Sequence, residues 1–321
     1  MNDMSRISAL AAPKQQPVPR EQTQALLDLR SAASARIKPA DLYTLADRLE
    51  EQARAYPERA FLIDGEQRFT YATVDAQANR MAHVFYAKGL RPGDVCAIAM
   101  ENRPQFFFSW FGLVKLGVVV AFINTQVSGK PLVHALQSTA AKAVVVGEEC
   151  LANLLGTEGL PDVPLWLVED ALNPFDGELP TFVDSHFGEL ICAAPETVFP
   201  REVRAAITAE TTTLLIFTSG TTGLPKAARY SHMRWMSSGD VMEVTLGATC
   251  DDVFYCCLPL YHGAAATSVT STALRVGASI VVRRKFSVRE FWPDVRRNRI
   301  TVFQYIGEIC RYLLNQPVVA G

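Results

Sequence analysis

The chain has 321 residues, 49% hydrophobic and 20% charged, with a formal net charge of −2. That length supports a sizeable core in two or three lobes, and the near-neutral balance gives no general attraction for nucleic acid or an anionic membrane. Seven cysteines, with no CxxC pair, argue against a disulfide framework or zinc site and read as buried, reduced thiols of a cytosolic protein.

Residues 1–40 read as a polar tail holding one short helix near Gln22–Leu29, with no apolar segment of a secretory signal. Asp41 is expected to open a helix whose apolar stripe is Leu42, Leu45, Leu49 and Ala53. FLIDGEQRFTY (61–71) predicts a hairpin around Asp64-Gly65. Val74, Ala78, Met81 and Phe85 mark a helix over 72–88, ended by Gly89. Strands follow at 94–100, 118–124, 142–147 and 164–168, with helices at 104–116 and 131–139 between them. This alternation predicts an α/β fold built on mainly parallel sheets covered by helices. The run FFFSWFGLVKLGVVVAFI (106–123) approaches the length of a membrane span, but Lys115 and Gly117 interrupt it, which predicts a buried helix and then a buried strand. Residues 171–205, rich in Pro, Asp and Gly, read as a surface connection between a first subdomain (41–205) and a second (206–321). In the second, a strand at 211–217 is followed by a helix from Ser231, strands at 253–258 and 278–284, a capped helix from Ser287 to Asn298, a strand at 300–305 and a helix at 308–315. The pair Asp251 and Asp252 reads as a turn, not as metal ligands.

The chemistry concentrates in FTSGTTGLPKA (217–227), directly after a buried strand. Glycines let backbone N–H groups converge on one concavity. Four hydroxyl residues add neutral donors, and Lys226 adds a cation suited to polyphosphate. The order of residues is not that of a Walker A loop.

TSGTTGLPKA resembles the phosphate-binding segment of the adenylate-forming superfamily of acyl-CoA synthetases, luciferases and peptide-synthetase adenylation domains. RFTYATVDAQANRMA (68–82), WFGLVKLGVVVAFINT (110–125) and LPLYHGAAA (258–266) resemble further segments of that superfamily, over most of residues 41–316. INTQVSGKPLVHAL (123–136) and FQYIGEICRYLLNQP (303–317) are similar to the very-long-chain acyl-CoA synthetase and fatty-acid transport protein branch. The resemblance implies the N-terminal domain of an adenylate-forming enzyme. It also implies ATP, Mg²⁺ and coenzyme A as reactants, with a fatty acid as substrate. Thr218, Ser219, Gly220, Thr221, Thr222 and Gly223 would cradle the ATP phosphates. Lys226 would pair with the departing pyrophosphate or hold the loop. His262 would lie beside the carboxylate, orienting it rather than moving an obligatory proton. Tyr261, Tyr305 and Gly307 would line the acyl site, with Glu308 as a helix start, and His232 would be structural.

Residues 263–321 contain none of the Tyr-Gly-x-Thr-Glu segment, ribose-holding Asp, hinge and mobile lid domain that the resemblance calls for further along. The expectation is an N-terminal portion, incomplete at its C-terminus and with little or no ligase activity alone. A non-enzymatic fatty-acid-binding or uptake protein and another carboxylate-adenylating enzyme stay open as alternatives. So do peripheral association with the inner membrane and the oligomeric state.

Overall fold

The computed structural model describes residues 18–184, 186–218 and 224–316. Its strands, in chain order, are β1 (Ala60–Asp64), β2 (Gln67–Thr70), β3 (Val95–Ala99), β4 (Val119–Phe122), β5 (Ala143–Gly147), β6 (Leu165–Val168), β7 (Val183–Asp184), β8 (Thr212–Thr218), β9 (Lys226–Ser231), β10 (Val253–Cys256), β11 (Ser279–Val282) and β12 (Val302–Phe303). One sheet has the order β7-β6-β5-β3-β4-β8-β9, parallel except for the antiparallel edge strand β9. The other has the order β12-β10-β11-β1-β2, parallel except for β2. Both sheets draw strands from either side of residue 205.

The two-residue alternation of strand side chains sorts the core. Cys96, Ile98, Val120, Phe122, Val145, Leu214 and Ile216 face the space between the sheets. Ala97, Ala99, Ala121, Val144, Val146, Leu215 and Phe217 face a second apolar layer that includes Leu132, Leu136, Leu151 and Leu154 from helices Lys130–Thr139 and Glu148–Leu155. Helix Pro104–Leu116 is clasped between the sheets: Phe107 and Phe111 pack on Phe61 of β1, while Phe106 and Trp110 pack on Phe122 of β4. Every residue from Phe106 to Leu116 is buried, so this apolar run is a core helix. Gly117 stops it with φ +82, and a Cβ there would also press on Ile207, Pro92 and Arg204. Lys115 is fully buried at the same end and is paired with Glu50 at 2.7 Å and Asp75 at 2.9 Å. No helix among the described residues is long and apolar enough to cross a membrane.

Several expectations are corrected. The helix expected from Asp41 starts at Leu45, because Thr44 and Asp47 form a reciprocal capping box, and Leu42 is left exposed. Asp41 instead accepts from the Lys38 amide in the preceding turn. The tail helix is longer, Arg20–Ser34. The connection over 171–205 contains β7 and helix Phe187–Ala193. Strand β9 has no counterpart in the sequence reading, nor has the helical stretch over 264–276. The cysteines are free, but only four are buried: Cys192 is exposed on a short surface helix, and Cys250 and Cys310 are half-buried.

Candidate active site

In a parallel sheet the strand carboxyl ends share one edge, and ligand clefts form in the loops beyond that edge. Here Asn124 and Thr125 follow β4, Thr218 ends β8, and the segment Cys257–Gly263 follows β10. A cleft of about 630 Å³ lies among them, with Phe122, Val127, Pro131 and Ile216 on its apolar side and Asn124, Thr218, Tyr230, Tyr261 and His262 as its polar groups. A second cavity of about 540 Å³ lies beyond Tyr261, reached by Thr125, Cys257, Phe286, Ile306 and Tyr312. Tyr261 lines both.

His262 and Tyr261 sit between a buried strand and a helix that begins unusually. The His262 amide donates to the Pro259 carbonyl at 3.0 Å, closing the turn that presents the two rings 4.6 Å apart. The chain then takes a π-helical turn, Ala264–Val269, before the α-helix Thr270–Val276. Such turns redirect backbone carbonyls out of the helical ladder, and here the Ala266 carbonyl accepts from the Trp235 indole N–H at 2.7 Å. Burial lowers the His262 pKa, so the ring is neutral at pH 7. Burial also raises the Tyr261 pKa, partly offset by hydrogen bonding with Thr125, and keeps the phenol protonated as a donor.

The sequence-predicted residues separate into groups. Tyr261, His262 and Thr218 share the cleft. Ser219, Gly220, Thr221, Thr222 and Gly223 lie outside the described residues. Thr218 pairs with Lys226 across the β8–β9 ladder, and its hydroxyl donates to the Lys226 carbonyl at 3.4 Å. The Lys226 side chain lines a different cavity of about 490 Å³, with Gly93, His134, Ser138 and Arg229. Tyr305 and Gly307 do not line the His262 cleft: Tyr305 is exposed and packs on Phe303, and Gly307 begins helix Gly307–Leu314. Glu308 borders the second cavity and is paired with Arg311. His232 is buried, and its Nδ1 accepts from the Leu45 amide at 3.2 Å, a structural contact.

Several residues of the site, Asn124 among them, escaped the sequence reading, and two of these bear on its geometry. Tyr230 is presented by the unforeseen strand β9, its hydroxyl 3.6 Å from where a Cβ on Gly263 would stand. Asn102 lies beyond the end of β3, and its carboxamide makes three hydrogen bonds to the backbone around Pro259 and β11. The signal for Asn102 was a lone amide after a buried strand, which is weak by itself.

The chain belongs to the AMP-binding enzyme family, whose match spans residues 49–320. Among curated proteins, the chain is 39% identical to "Long-chain fatty acid transport protein 6" of Mus musculus, over 88% of this chain and 44% of that protein. It is 38% identical to "Long-chain fatty acid transport protein 1" of Rattus norvegicus, over 83% of this chain and 41% of that protein. The chain thus spans less than half the length of these relatives. Among solved structures, the fold is similar to a Mycobacterium tuberculosis fatty acyl CoA synthetase, with TM-score 0.72, 21% identity, and coverage of 85% of this chain and 51% of that one. It is equally similar to an anthranilate CoA ligase in complex with anthranoyl-AMP, with TM-score 0.72, 22% identity, and coverage of 84% and 50%.

Proposed function

We propose that this chain supplies the carboxylate-facing part of an adenylating site, serving the ATP-dependent ligation of a long-chain or very-long-chain fatty acid to coenzyme A. The observation that carries the reading is the cleft in which Thr218, Tyr261 and His262 meet an apolar wall. The names of the relatives support the acyl class of the substrate.

In this reaction a carboxylate oxygen attacks the α-phosphorus of ATP and pyrophosphate leaves. The coenzyme A sulfur then attacks the acyl carbon, and AMP leaves. A fatty carboxylate is already ionised at pH 7, so the first step needs no general base. A neutral His262 and a protonated Tyr261 suit that step, as groups that orient a carboxylate without titrating against it. Among the described residues no three His, Cys, Asp or Glu side chains are grouped to hold a metal ion. Mg²⁺, when it takes part, would offset charge on the triphosphate oxygens.

The direct test is ATP–pyrophosphate exchange by the purified chain with oleate, followed by coenzyme-A-dependent AMP release. Exchange that requires oleate supports the reading, and His262→Ala is expected to reduce it by about tenfold or more, the scale of one lost orienting contact. Saturable oleate binding without exchange would make the isolated chain a fatty-acid-binding protein. The absence of both saturable binding and exchange with every carboxylic acid in a panel of aryl and alkyl acids would overturn the assignment.

A further inference from the structure

We propose that Asn102 is a positioning residue of the candidate site, its carboxamide fixing the Leu258–His262 segment and so the place of the two rings in the cleft; the role at the cleft rests on the adenylating reading above. Asn102 is buried, 3% exposed, and follows β3 of the seven-stranded sheet. Its Nδ2 donates to the Leu258 carbonyl at 2.8 Å and to the Arg283 carbonyl at 3.1 Å. Its Oδ1 accepts from the Leu260 amide at 2.7 Å. One side chain thereby ties the end of a strand in one sheet to the segments leaving β10 and β11 in the other. Both amide protons and the carbonyl are used, and only a carboxamide provides two donors and an acceptor in this small a volume.

The consequence for the site follows from connectivity. Leu258 and Leu260 flank Pro259, whose carbonyl accepts from the His262 amide. Asn102 holds both sides of that turn, and the turn holds His262. Among the described residues the Leu258 carbonyl has one further side-chain contact, the weak Cys256 thiol at 3.9 Å, and the Leu260 amide donates to no other side chain. Without Asn102, two carbonyls and one amide lose their carboxamide partner, the Leu258 carbonyl keeping only the long thiol contact, and the turn is free to move to recover hydrogen bonds elsewhere.

The experiment reads the histidine rings by NMR across pH 4–9 in the full chain, with and without Asn102→Ala and the isosteric Asn102→Asp, alongside amide hydrogen exchange. In the unchanged protein the Leu260 amide, although outside regular secondary structure, exchanges as slowly as a strand amide. In the variants its protection falls by about tenfold or more, and the His262 resonance moves, with its titration midpoint rising toward that of an ordinary histidine. An unmoved His262 titration in a folded variant overturns the proposal. So does fast exchange at Leu260 in the unchanged protein, which decides the matter even if neither variant folds. None of these measurements uses nucleotide or fatty acid, so they succeed or fail independently of the pyrophosphate-exchange result.

Discussion

At the residue scale, two histidines of this chain are held neutral for different ends. His262 borders a cleft, and its shift comes from partial burial. His232 is buried at the base of the helix His232–Leu246, and burial lowers its pKa to about 3. Its Nδ1 accepts from the Leu45 amide, so the ring proton resides on Nε2, and protonating Nδ1 would break that bond. The folded pKa lies below the unfolded value near 6.5, so the unfolded chain takes up this proton first as pH falls. Stability from the neutral ring is therefore complete above about pH 6.5 and is lost progressively toward pH 3, by up to about 1.4 kcal/mol per pH unit. Replacing His232 by Asn keeps an acceptor near the Leu45 amide and removes the titration. Thermal melts of both proteins between pH 7 and pH 4.5 should show a shallower fall for the variant; parallel curves would rule His232 out as an acid-sensitive group. The sequence marked His232 as structural but not as acid-sensitive, because its partner lies 187 residues away.

At the element scale, legibility followed how local the cause was. Helix Pro104–Leu116 was readable to its last residue because Pro104 favours its first turn and Gly117 supplies its left-handed stop. Strand β9 was not readable: KAARYS lacks alternating apolar residues, and it lies at the sheet edge, paired among the described residues only to β8. The stretch 264–276 was hidden for the opposite reason. Its Ala, Ser and Thr residues form no stripe because the segment is enclosed, and the hydroxyls of Thr267, Thr270 and Thr272 are satisfied by carbonyls of the preceding turns. Small residues there permit close helix contact. The Gly239 amide donates to the Ser271 hydroxyl at 3.0 Å, and that hydroxyl donates to the Trp235 carbonyl at 2.7 Å. A Cβ on Gly239 would stand 2.4 Å from the Ser271 carbonyl oxygen, a backbone atom that moves only with its helix. Gly239→Ala should accordingly cost about 1–3 kcal/mol, despite the better helix propensity of alanine. Urea unfolding measures this, and a neutral or stabilising result would mean that the two helices are not in contact at Gly239.

At the scale of the whole molecule, both sheets aim the carboxyl ends of their parallel strands at one region. The first brings Asn102, Asn124, Thr125 and Thr218; the second brings Tyr261, His262, Phe286 and Ile306. A cleft is the geometric result, and the sequence made it half visible. The motif residues marked its parts, but only the crossing of the chain between sheets shows that Tyr261 stands between two cavities of about 630 and 540 Å³. Tyr261 lines both, so under the proposed function it would limit how much of an acyl chain the apolar side can take. Tyr261→Ala is expected to join the cavities, and each further methylene buried is worth about 0.8 kcal/mol, close to fourfold in affinity. Saturated fatty acids of rising length, displacing a fluorescent fatty acid from the unchanged chain and the variant, should then bind alike when short and diverge in favour of the variant when long. Tyr261→Phe keeps the wall and should track the unchanged chain in length preference, losing only what the hydroxyl contributes through Thr125. Superimposable length profiles for all three proteins would mean that the acyl chain runs elsewhere and that Tyr261 closes a cavity the substrate never enters.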